Sequence, residues 1–288
     1  MKIVVLGSSG AIPTKQRNLP SIALIYESEI LLFDCGEGTQ RQMMKYNLNY
    51  SKVSKIFISH LHLDHYLGVF GILETANLIN RETPIKIFGP QGIQQIFGKY
   101  KSAEIIELNE NKEIFENKKY FISAFKLKHN IPLCLGYLFK EKSKIKFYEE
   151  KAKKVGLKGQ QFTEIQNKGK LKIDNKVIKL SDISYTKEGK KIVFVADTLP
   201  IDTAIKYSKD ADLLIHEATY LSSLEKEAKE NFHSTAKQAA EIAKKANVKK
   251  LLLFHISQRH KNPQELEKEA KKVFKNTICS KDGLVLEI

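Results

Sequence analysis

The stretch Ser59-His60-Leu61-His62-Leu63-Asp64-His65 follows directly on the apolar run Ile56–Ile58. An apolar run that breaks into alternating polar residues reads as a strand ending in an open turn. Four potential metal ligands crowd into six residues of that turn. Without a cation to organise them they would repel or desolvate one another. Imidazole nitrogens beside a carboxylate suit Zn²⁺, and the turn lets alternate side chains converge on one point. His60 and His62 can serve one ion, and Asp64 and His65 a second.

One turn cannot fill two coordination spheres, so further ligands are expected at other strand ends. Of the eight histidines, the remaining candidates fall in suggestive places. His129 follows the run Phe121–Leu127, His216 ends Leu213–His216 beside Glu217, and His255 follows Leu251–Phe254. His233 sits at a helix start. Asp197 follows Ile192–Val195, and as a carboxylate it can bridge two cations, which a neutral imidazole cannot.

Working outward, short apolar runs at Ile3–Leu6, Ser21–Tyr26, Ile30–Phe33, Ile85–Phe88 and Ile105–Leu108 read as further strands. Helical spacing covers 38–47, 66–79, 234–246 and 263–274. For the last helix, Asn262 is the expected cap, with Pro263 in the first turn and Glu265 completing a capping box. Strands and helices alternating through two β-rich halves predict an αββα four-layer sandwich, with functional loops on one rim. Residues 1–288 are expected to form one domain.

The 288-residue chain is 42% hydrophobic and carries a formal charge of +15. Such a field attracts polyanions. Between Lys140 and Lys191 stand 16 Lys, no Arg and 7 acidic residues, so this segment holds nine of the fifteen excess charges. It is expected to be either a solvated insertion or a basic arm that grips phosphates. Cys35, Cys134 and Cys279 are widely spaced and odd in number. That argues against a disulfide framework and a thiolate metal site, and suits a cytoplasmic setting. No run is long and apolar enough to span a bilayer.

Several stretches together resemble ribonuclease Z, the tRNA 3′-processing endonuclease of the metallo-β-lactamase superfamily. They are Leu6 to Thr14 with Arg17-Asn18, Phe33-Asp34-Cys35-Gly36-Glu37-Gly38-Thr39-Gln40 and the His60–His65 turn. Gly136-Tyr137, Ala196-Asp197-Thr198, His216-Glu217-Ala218-Thr219, His233-Ser234-Thr235-Ala236 and His255-Ile256-Ser257 continue the match. The resemblance implies that His60, His62 and His129 hold one zinc, that Asp64, His65 and His255 hold the other, and that Asp197 bridges them. It implies two Zn²⁺ per chain, with Mn²⁺ as the alternative metal, precursor tRNA as substrate and a homodimeric enzyme. Asp34 is expected to hold a ligand imidazole from behind the metals. Asp64 would orient the attacking water or take its proton, and His233, polarised by Glu217, would protonate the leaving 3′-oxygen.

The chain departs from the family where its insertion has Gly156-Leu157-Lys158-Gly159 in place of a Gly-Pro-rich arm, and where His260 follows Arg259 instead of Tyr. Two other readings remain: a small-molecule phosphodiesterase or other hydrolase on the same fold, and a non-catalytic RNA-binding module.

Overall fold

A computed structural model describes residues 1–174 and 176–288. Two seven-stranded sheets carry the chain. In the first, the order is Val285–Glu287, Lys2–Gly7, Ser21–Tyr26, Glu29–Phe33, Val53–Phe57, Ile85–Pro90 and Ala103–Leu108. In the second it is Thr277–Cys279, Leu251–Phe254, Leu213–Glu217, Lys191–Val195, Cys134–Glu141, Tyr120–Leu127 and Lys112–Glu116. Each sheet joins an antiparallel half to a parallel half. The chain end crosses back, since Val285–Glu287 pairs with the first strand.

Side-chain alternation along one strand separates the layers. In Lys2–Gly7, Ile3 and Val5 enter the core between the sheets, whereas Val4 and Leu6 enter the core beneath the outer helices. A strand buried on both faces reads as a continuous apolar run, which is why Ile-Val-Val-Leu shows no alternation of polarity. Val69, Ile72 and Leu73 of helix Gly68–Leu78 cover the first sheet. Helices Asp202–Ser208, Ala236–Lys245 and Gln264–Lys271 lie with the second, through Ala204, Ala239, Ala243 and Leu266. The αββα expectation holds.

Phe33, Phe57 and Phe88 are register partners on three adjacent parallel strands. Their rings stack at 5.3 and 5.0 Å, and Phe194 of the other sheet lies 5.6 Å from Phe33. This aromatic layer fixes the strand ends from which Asp34 and Ser59 emerge. Tyr137 crosses from the second sheet and donates its hydroxyl to the Ile58 carbonyl at 2.6 Å, while Leu135 N–H donates to the Ser59 carbonyl at 2.9 Å.

The strand Cys134–Glu141, central in the second sheet, carries no signal readable from periodicity. Residues 134–139 are all buried and Gly136 interrupts the run. The glycine has a packing cause: a Cβ there would stand 2.4 Å from the Phe125 ring. The expected capping box at Asn262 also does not form. Pro263 takes the cap position of helix Gln264–Lys271, and Asn262 Oδ1 merely accepts from Gln264 N–H at 3.2 Å. A complete capping box occurs instead at Thr235 and Gln238, ahead of Ala236–Lys245.

The basic segment leaves the second sheet between neighbouring strands, with Lys140 and Lys191 as register partners. Beyond them Lys144–Phe147 pairs with Ser184–Lys187, and helices Glu149–Lys154 and Gln161–Lys168 lead to a hairpin of Lys170–Ile173 and Lys176–Lys179. Ala152, Leu157, Ile165 and Ile183 bury together as a separate small core. The insertion is therefore a folded unit whose lysines face outward.

Candidate metal centre

The histidine-rich turn 59–65 opens at the end of strand Val53–Phe57. His60 and His62 lie in the turn itself, and Asp64 and His65 in the one-turn helix Leu63–Tyr66. His129, Asp197 and His255 arrive from the ends of Tyr120–Leu127, Lys191–Val195 and Leu251–Phe254. Donor atoms of His60, His62, His129 and Asp197 lie within 4.8 Å of one another, as do those of Asp64, His65 and His255. All seven residues expected as ligands thus meet in one place.

Asp197 is central. Its Oδ2 lies 3.7 Å from His60 Nε2, 3.6 Å from His65 Nε2 and 3.8 Å from His129 Nε2, and its Oδ1 lies 3.3 Å from His255 Nε2. His65 Nε2, His129 Nε2, His255 Nε2 and Asp197 Oδ1 are buried without a hydrogen-bond partner. Orphaned lone pairs converging in a buried site are costly unless a cation takes them up. The donor set fits two divalent ions: imidazoles on both flanks and a shared carboxylate between.

Four of the five imidazoles are oriented from behind, while His62 Nδ1 faces His60 Nε2 at 3.0 Å. His65 Nδ1–H donates to Asp34 Oδ2 at 2.7 Å, and His129 Nδ1–H to the Phe232 carbonyl at 3.1 Å. His255 Nδ1 pairs with Thr219 Oγ1 at 2.9 Å, and His60 Nδ1 with Ser59 Oγ at 2.9 Å. In these four, with the outer nitrogen engaged, the inner Nε2 is left as the donor atom. Asp34 has the part expected of it; it also accepts from Ser59 N–H at 2.8 Å and Ser59 Oγ at 2.9 Å. Asp34 and His255 hold left-handed backbone, φ 52° and 56°, a strained state for non-glycine residues that recurs at functional sites. Gly10 makes room for the result, since a Cβ there would stand 2.5 Å from the His255 ring.

The electrostatics follow this layout. Burial, then neighbouring His65, holds His60 well below the ordinary imidazole range. Burial would also lower His65, but Asp64, Asp34 and Asp197 together raise it well above that range. Burial works against charge on Asp197 and Asp64, yet the surrounding imidazoles hold both carboxyls below their usual range.

A second constellation flanks the first. His233 Nδ1 lies 3.0 Å from Glu217 Oε1. Glu217, fully buried, also accepts from Thr198 N–H, Ser234 N–H, Thr219 N–H and Thr219 Oγ at 2.9, 3.0, 3.1 and 2.7 Å. Burial would depress the His233 imidazole, but Glu217 and Asp197 outweigh it and push it up to about 9. His233 lines, with His62, Asp64 and Asp197, an open cleft of about 330 Å³.

His216, the other strand-end candidate, joins none of these groups. It is buried, with Nδ1 on the Glu217 carbonyl at 2.7 Å. His260 is a brace: Nε2 meets the Thr219 carbonyl at 3.1 Å and its own carbonyl accepts from Arg17 at 3.2 Å. Sequence reasoning missed Cys134, whose thiol donates to the Asp197 carbonyl at 3.3 Å, and Thr219, whose hydroxyl joins Glu217 to His255. Neither has a spacing signal of its own: Thr219 follows a strand and Cys134 opens one.

Two packed sheets with a His/Asp cluster on one rim define a metal-dependent hydrolase of the metallo-β-lactamase fold. Solved structures agree. The metallo-β-lactamase-fold protein YhfI from Bacillus subtilis superposes with TM-score 0.75 at 22% identity, covering 100% of this chain and 99% of that one. The short form of human tRNase Z gives TM-score 0.71 at 27% identity, covering 100% and 99%. Ribonuclease Z from Thermococcus sibiricus is 42% identical over 95% of this chain and 91% of its own length; that from Nitrosopumilus maritimus is 38% identical over 100% of both. A family model described as anti-Pycsar protein Apyc1 matches residues 1–278. The chain belongs to the ribonuclease Z family.

Asp34→Asn keeps a residue tolerant of left-handed backbone but removes the charge behind His65. Metal retention is expected to weaken about 10-fold or more, with unchanged far-ultraviolet circular dichroism, when measured by competition with a chromogenic chelator. Unaltered affinity would deny Asp34 its orienting part.

Proposed function

We propose that the chain removes the 3′ trailer from precursor tRNA by hydrolysis of one phosphodiester bond, leaving 3′-OH on the tRNA and 5′-phosphate on the trailer. The observation that carries this reading is the His233–Glu217 pair, 3.0 Å apart, beside the seven-residue cluster, in a chain whose full-length relatives are named ribonuclease Z. His60, His62 and His129 would hold one Zn²⁺ and Asp64, His65 and His255 the other, with Asp197 within reach of both groups.

The two ions would supply Lewis-acid stabilisation of charge on the scissile phosphate and a water acidified enough to react at neutral pH. The protein's own residues do the rest. Asp64 accepts Ala11 N–H at 2.9 Å through Oδ2, the oxygen that also faces His65 and His255, and so is held where it can orient a water and take its proton. Glu217 keeps His233 protonated and fixes its ring, so that Nε2 can hand a proton to the departing 3′-oxygen of the tRNA. Such transfer is worth about 10²–10⁴-fold in rate.

The single domain 1–288 carries its basic insertion, 140–191, as an arm for tRNA phosphates, and the active enzyme is a homodimer in the cytoplasm, where its three free thiols stay reduced. Hydrolysis of small phosphodiesters by the same site is the second reading. It is separated from the first by substrate, because only the RNA enzyme needs a tRNA body.

Incubation with a 3′-extended precursor tRNA should give a single cut that chelator abolishes and Zn²⁺ restores. His233→Ala should lower turnover by about 10²–10⁴-fold while metal content by atomic emission stays at two per chain; loss of metal would make His233 a ligand instead. Cleavage of bis(p-nitrophenyl) phosphate without any cleavage of precursor would favour the second reading.

Lys144 and Lys187 are Cα partners, so a short Gly-Ser link can replace the arm between them. The excised protein should bind precursor tRNA more weakly and with a flatter dependence on salt, yet hydrolyse the small diester normally. Equal tRNA affinity in both proteins would reduce the arm to a solvated insertion.

A further inference from the structure

Beside the metal cluster lies a cavity of about 670 Å³, larger than the cleft above the cluster itself. Two of its walls are continuous with the ligand loops. Leu61 stands between His60 and His62, and Ile131, Pro132 and Leu133 follow closely on His129. The opposite wall is the turn at Pro90, Gln91 and Gly92, with Gln95 from helix Ile93–Phe97. Asn109, just beyond strand Ala103–Leu108, and Lys126 of strand Tyr120–Leu127 complete it.

The turn is held in place. Glu107 accepts from Gly92 N–H at 2.8 Å and Gln94 N–H at 3.0 Å, so the start of that short helix is already satisfied. Gly92 has φ 103°, open only to glycine, and a Cβ there would stand 3.2 Å from Leu61 Cδ1. The cavity floor is thus in touch with the ligand turn.

The lining has a definite chemistry. Gln91, Gln95, Asn109 and Lys126 are all exposed, and no carboxylate lines the space. Amide side chains offer a donor and an acceptor side by side, which matches the edge of a nucleobase. The flat apolar surfaces of proline, leucine and isoleucine can cover its faces, and Lys126 can meet a phosphate. A volume of this size lies within the range of small-ligand pockets, roughly 300–1,000 Å³.

We infer that this cavity receives a nucleotide of the trailer, the first or second beyond the cut, and reads its base through Gln91, Gln95 and Asn109. The inference rests on the nuclease reading above. His233, the proton donor to the tRNA-side oxygen, lines the cleft and not this cavity. A strand that leaves the cleft past His62 and His129 reaches Leu61 and Ile131, their chain neighbours on the cavity wall. Gln91, Gln95 and Asn109 are specificity-determining residues and touch no metal ligand.

The test uses metal-loaded enzyme and precursors that differ only by an abasic site at the first or second trailer nucleotide. The wild type should lose about 10-fold in kcat/KM on one abasic precursor, mainly through KM. Gln91→Ala/Asn109→Ala and Gln95→Trp should cleave intact and abasic precursors alike, at about the wild-type abasic rate, with bis(p-nitrophenyl) phosphate hydrolysis unchanged. Equal cleavage of intact and abasic precursors by the wild type, or full base dependence in both variants, would overturn the inference.

A 5′-phosphorylated trailer dinucleotide, titrated by calorimetry, separates the two levels of the argument. Binding that Gln95→Trp abolishes supports the cavity, even if no precursor is cut and the nuclease reading falls. No binding, or binding indifferent to Gln95→Trp, rejects the cavity while leaving cleavage to be judged on its own.

Discussion

A buried carboxylate ringed by imidazoles is the constraint on which the molecule depends. Asp197 is 2% exposed, its Oδ1 has no hydrogen-bond partner, and four histidine nitrogens stand within 3.8 Å of its oxygens. An uncompensated charge there would cost several kcal/mol. Cations repay that cost, and the same cations are what a phosphodiester needs. Stability of the pocket and reactivity toward phosphate are two results of one arrangement.

The two sheets exist, in functional terms, to bring strand ends to that carboxylate. The first sheet supplies Asp34 and the turn His60–His65; the second supplies His129, Asp197, Glu217 and His255. Tyr137 and Leu135 bind the second sheet to the backbone of Ile58 and Ser59, and the layer of Phe33, Phe57, Phe88 and Phe194 packs directly beneath. Rigid elements below and loops above bring the donors to one place. Behind them Asp34, Ser59, Thr219 and the Phe232 carbonyl each hold one ring.

What could be read from the amino-acid sequence divides along physical lines. The turn at His60–His65 was legible because its ligands are adjacent in the chain, and the first-sheet strands because both faces are apolar. His129, Asp197 and His255 were legible as strand-end candidates for the same site, but the choice of His129 and His255 over His216 and His233 came only from family resemblance. Cys134–Glu141 escaped because a fully buried strand broken by Gly136 has neither alternation nor helical spacing. The small core of the insertion escaped too: Ala152, Leu157, Ile165 and Ile183 are isolated among lysines, and only folding brings them together. Asn262 misled because Pro263 took the cap position, while Thr235, two residues after His233, formed the real capping box with Gln238. Backing residues such as Thr219 and Cys134 leave no pattern, since their partners lie far away in sequence.

Anomalous X-ray scattering from zinc-loaded crystals tests the central claim most directly. Two peaks about 3.5–4 Å apart are expected, one among His60, His62 and His129, the other among Asp64, His65 and His255, with Asp197 between. A protein that cleaves its substrate with no zinc peak in this cluster, or with zinc bound elsewhere, would contradict it.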